Sequence, residues 1–170
     1  MTWGVPIIIN FFTVTSPDLL FKLFPVMMLF FIIGIFGWIW AIATELHAKL
    51  SPHVKLNVGR FKILFSIPIL YMFAIIVYMV YAFSTSSSTE VDSIAGVIVG
   101  FVIVLHLFSI VCIIIGLRFA AKTMRSVELG RMARFGDYVG EFFLMWFSII
   151  GFWVLQPRLN KLTEELHNVQ

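Results

Sequence analysis

IAGVIVGFVIVLHLFSIVCIIIGL, residues 94–117, runs 24 residues without an Asp, Glu, Lys or Arg. As a helix it is about 36 Å long, enough to cross a hydrocarbon core of ~30 Å. Working outward, three further stretches are similarly apolar: 24–44, 63–83 and, interrupted only by Glu141, 138–155. The chain is 61% hydrophobic and only 12% charged, with a mean hydropathy of +1.01. Soluble domains carry about 25% charged residues, so this composition excludes one. The longest polar stretch, 118–137, is too short to fold alone. The reading is all-α: an integral membrane four-helix antiparallel transmembrane bundle, a single domain over 1–170. Residues 1–23 are expected as an interfacial or re-entrant segment.

The loops differ in charge. Residues 45–62 carry Lys49, Lys55, Arg60 and Lys62, and residues 118–137 carry Arg118, Lys122, Arg125, Arg131 and Arg134. The loop between them, 84–93, has only Glu90 and Asp92. Basic residues in short loops mark the cytoplasmic side. With four crossings, loops 45–62 and 118–137 are cytoplasmic and both termini lie outside. Arg158 and Lys161 then sit on the wrong side, a conflict that disappears if 138–155 re-enters instead of crossing. The N-terminal MTWGVPIIINFF lacks a basic segment and a small-residue cleavage site, which argues against a cleaved signal peptide.

Local signals place the helix ends. Ser16-Pro17-Asp18 reads as a helix start, and Asp18 with Lys22 forms an i,i+4 pair on a short interfacial helix. Pro25 marks a bend there. The third span is expected to continue past the membrane with Arg118, Lys122 and Arg125 on one face, stopping at Gly130. Gly34, Gly37, Ala41 and Thr44 share one stripe of the first span, and Gly96-x-x-x-Gly100 opens the third. Small residues at these spacings let another helix approach closely. Tyr71, Ala74, Tyr78 and Tyr81 line one side of the second span, which also contains Pro68. No repeat relates the two halves, so an inverted-repeat transporter is not supported.

Few residues offer chemistry. His106 lies near the middle of the third span, with Ser109 on its face; an ionisable group at that depth is a functional candidate. Its plainer role is a neutral imidazole bonding across helices. No cofactor is predicted, since a bis-histidine haem would need His106 from two copies in an oligomer. Asp137, Glu141 and Ser148 share one face of the fourth span, with Arg118 the expected partner of Glu141 across an antiparallel hairpin. This is either a cation or proton site or a structural ion pair. Glu45 and Arg60 are a second expected pair. Lys49, Lys55, Arg60, Lys62, Lys122 and Arg125 are candidates for contact with anionic lipid head groups on the cytoplasmic side. The lone Cys112 allows no intrachain disulfide and no Cys-x-x-Cys motif. No converging catalytic set, metal-ligand pattern or nucleic-acid signature is present, which argues against an enzyme.

KLNVGRFKILFSIPILY (55–71) and FGDYVGEFFLMWFSIIGFWVLQPRLNKL (135–162) resemble segments of small four-span proteins of bacterial inner membranes. The resemblance covers about a quarter of the chain. It implies a bacterial inner (plasma) membrane and transfers no site residue.

Three functions are compatible with these features. The foremost is an accessory or assembly subunit of a membrane complex, its partner another membrane protein or a second copy. The second is a small homo-oligomeric transporter or channel using Glu141 and His106. The third is a haem or redox protein through His106.

Overall fold

The computed structural model describes the backbone of residues 17–84 and 93–168, and the side chains of 23–81 and 100–164. The N-terminal segment 1–16 and the acidic loop residues Glu90 and Asp92 lie outside the described residues, as do the side-chain pairing of Asp18 with Lys22 and the packing around Gly96. Among the described residues five helices follow in order: α1 Pro17–Ala48, α2 Val58–Ser84, α3 Ser93–Leu129, α4 Phe135–Trp146 and α5 Ser148–Asn168.

Three of these are long and apolar enough to cross a membrane: Leu23–Ala48 in α1, Val58–Tyr81 in α2 and Gly100–Leu129 in α3. The first three predicted spans therefore appear as helices. Pro25 and Pro68 sit inside α1 and α2 without ending them, as membrane helices allow when neighbours re-satisfy the freed carbonyl. α3 continues beyond Leu117 to Leu129. Gly130, at φ 62°, ends it in the left-handed conformation that glycine adopts without strain.

The predicted fourth span, 138–155, differs: it is two helices. Phe147 leaves the helical region at φ −88°, ψ 58°, and separates α4 from α5. Gly151 packs on the Leu144 backbone, and a Cβ there would collide with the Leu144 carbonyl oxygen. Arg158 of α5 meets Glu141 of α4, 17 residues earlier. A continuous helix would hold those residues about 25 Å apart. α4 and α5 are thus an antiparallel hairpin with its tip at Phe147. The tip residues Ser148 and Ile149 lie beside Gly34 and Ile35, close to the midpoint of Leu23–Ala48. α5 then runs back alongside α1, so that Glu164 shares a groove with Lys49. The described chain ends, Pro17 and Asn168, consequently lie at opposite ends of the bundle.

The core is formed where all five helices meet. α1 buries Ile32, Phe36, Ile39, Ala43 and Leu46, a 3–4 spaced face. Against it lie Phe61 and Phe65 of α2, Ala120, Ala121 and Met124 of α3, Tyr138 and Met145 of α4, and Leu155 of α5. Phe61 stacks between Phe65 and Phe119, at ring-centroid distances of 5.1 and 4.8 Å. Gly116 admits the Phe65 ring, which a Cβ would strike. The Gly34–Gly37 stripe does not serve packing within the chain: a Cβ at either position would meet nothing within 4 Å. Large apolar residues such as Phe30, Ile63, Phe101, Val104, Ile149 and Trp153 face outward. That is the distribution expected when the surrounding solvent is hydrocarbon.

Candidate functional site

Two places concentrate polar chemistry. The first lies where α3, α4 and α5 converge. Asp137 starts α4: its Oδ2 accepts from the Arg134 backbone N–H at 2.9 Å and from Arg131 Nη1 at 3.0 Å. The Arg134 amide, followed by the Arg131 guanidinium, holds the Asp137 carboxyl below its ordinary range. Ser126 Oγ accepts from the Ala133 amide at 3.0 Å and ties the α3–α4 turn down. On the buried face of α4, Tyr138, Glu141 and Met145 turn toward the core.

Glu141 is buried, and its partner is Arg158 at 3.1 Å, not the expected Arg118. Arg118 instead donates from Nε to the Tyr138 hydroxyl at 3.0 Å. The difference follows from the hairpin, which returns Arg158 to the level of Glu141. The same Arg158 Nη2 reaches both oxygens of Glu128, each at 3.0 Å. Arg125 Nη1 approaches Glu128 Oε2 at 2.6 Å. Two arginines and two glutamates thus form one network joining three helices. Such charge-assisted contacts are the stronger class of hydrogen bond. Ser148, expected on the Asp137–Glu141 face, lies past the break on α5 and has no place in this network. Among the described residues no ion pair joins Glu45 to Arg60.

The second place is the outer face of α2 and α3. His106 is exposed there, amid Ile103, Leu107 and Val104. Its Nδ1 lies 3.4 Å from the Tyr71 hydroxyl, a long contact, and the two rings are 5.8 Å apart. Nε2 has no partner among the described residues. Ser109 points inward instead: it is buried, and its hydroxyl is without a hydrogen-bond partner among the described residues. His106 and Ser109 therefore do not form one site. Cys112 is buried beside them as a packing residue.

The head-group candidates Lys49, Lys55, Arg60, Lys62 and Lys122 remain at one end of the bundle, whereas Arg125 is drawn into the ion-pair network. Sequence reasoning passed over Glu128, Gly151 and the pairing of Trp38 with Gln156, whose Nε1–Oε1 bond of 2.9 Å links α1 to α5. The misplaced charges of Arg158 and Lys161 were the available signal for the hairpin.

No protein-family model matches the chain, and no curated protein or solved structure matches it. The functional reading rests on the geometry.

Proposed function

We propose that the chain is an accessory subunit of a membrane complex, docked through the outer face of α2 and α3. The observation that carries this is His106. Its imidazole is exposed near the middle of the longest apolar helix, with one ring nitrogen unpartnered among the described residues. In hydrocarbon a bare donor or acceptor has no water to bond, so polar groups at that depth turn toward protein. A neighbouring transmembrane helix that bonds Nε2 removes the cost. Glu141, the group a transporter would load, is engaged by Arg158 within the fold, which fits a structural role better than a coupling role.

The hairpin supports an orientation. With α5 returning, eleven of the twelve Lys and Arg lie at one end of the bundle and only Lys22 at the other. By the positive-inside rule that end is cytoplasmic. On this reading the end of α5 lies inside and the start of α1 outside, with α4–α5 dipping to the midplane and back. A bacterial inner membrane accords with the resemblance of 55–71 and 135–162.

The test is native mass spectrometry of the protein extracted gently from its own membrane. A stoichiometric complex is expected, and His106→Leu should release the partner. A wild-type chain that is solitary under conditions preserving other complexes would overturn the reading.

A further inference from the structure

A groove runs along the junction of α1 and α5, away from the His106 face. At the bundle end carrying the basic residues it is lined by Glu45, Lys49 and Glu164, and it is about 520 Å³ in volume. On the other side of Trp38, whose ring also packs on Phe152 at 5.6 Å, lies a second space of about 340 Å³, walled by Gly34, Phe152 and Trp153. Trp38 borders both spaces, and its bond to Gln156 is the main strut between the helices. The groove is charged at one end and apolar at the other.

We propose that it holds one phospholipid with a zwitterionic amine head group. Three observations converge on this occupant. The first is length. Gly34 to Lys49 spans about 22 Å of helix, matching one leaflet of a bilayer some 40–45 Å thick with its head groups. The second is charge. Two carboxylates and one ammonium face the mouth, and none of these side chains is in an ion pair or hydrogen bond among the described residues. An ammonium head group answers Glu45 and Glu164, while the phosphate of the same molecule answers Lys49. An anionic head group without an amine leaves both carboxylates opposed. The third is the floor. The bare Gly34 and the small Ala41 leave room along α1, where a Cβ on Gly34 would meet nothing within 4 Å. An acyl chain fills that space beside Phe152 with no change in the helices.

The proposal requires the membrane setting but not the His106 interface, so the two fail separately. The full chain is reconstituted in vesicles containing equal parts phosphatidylethanolamine and phosphatidylglycerol, then released for native mass spectrometry. One retained phosphatidylethanolamine per chain is expected. Glu45→Gln combined with Glu164→Gln should cut the preference over phosphatidylglycerol by about tenfold. Ala41→Trp, at an exposed position, should expel the lipid with the unfolding temperature unchanged. Equal retention of both lipids by the wild type would overturn the proposal, as would a preference indifferent to the double substitution. So would cross-linking of Ala41→Cys to a protein helix in the native membrane, which would make the groove a helix-docking surface.

Discussion

At the residue scale, one side chain decides how the C-terminal third is held. Arg158 serves two carboxylates on two other helices, Glu128 on α3 and Glu141 on α4. Removing it leaves the buried Glu141 without its cation, while Glu128 keeps Arg125; a buried carboxylate stripped of its partner costs more than the ion pair is favourable. Arg158→Ala should lower stability by about 2 kcal/mol. That is below the fully buried case, since the Arg158 side chain is 38% accessible. Thermal unfolding in mild detergent checks it. Arg158→Lys should recover only part, because an ammonium lacks the planar fork that addresses several oxygens. Glu141 was legible in the sequence as a polar group in an apolar segment. Its partner was not, because two residues 17 apart meet only if the chain between them folds back.

At the element scale, the α4–α5 hairpin depends on a glycine. Gly151 lies against the Leu144 carbonyl, a backbone atom that cannot rotate out of the way. Gly151→Ala should therefore disrupt the hairpin, at a cost of about 3 kcal/mol. Gly34→Ala and Gly37→Ala, where a Cβ meets open space, should change stability by less than about 0.5 kcal/mol. Unfolding temperatures of the three variants in one detergent give the comparison. The break itself was hidden in FFLMWFSIIGFWVL (142–155), which is apolar on both sides of Phe147. Hydropathy averages over such a window and cannot distinguish one crossing helix from two half-length helices side by side. The α3 extension and its stop at Gly130 were legible, because a capping glycine acts through local backbone geometry alone.

At the scale of the whole molecule, the hairpin replaces the predicted fourth span with a folded-back pair beside three helices long and apolar enough to cross a membrane; in the orientation we propose, that pair re-enters. Cysteines placed at Lys55 and Lys161 should label from the same side of the membrane, and one at Lys22 from the other; Cys112 is buried and should stay silent. Labelling of position 161 together with position 22 would restore a crossing fourth span. The sequence by itself determined that the chain is helical and membrane-embedded, where three spans lie, and which loops share a side. Each of these follows from local hydropathy, helix rise and loop charge, which need no partner. Only the tertiary structure decided that 138–155 folds back, that Glu141 pairs with Arg158, that His106 faces outward, and that α1 and α5 enclose an amphipathic groove. Those depend on contacts between residues distant in the chain, where a missing Cβ or one well-placed guanidinium outweighs the average character of the segment around it.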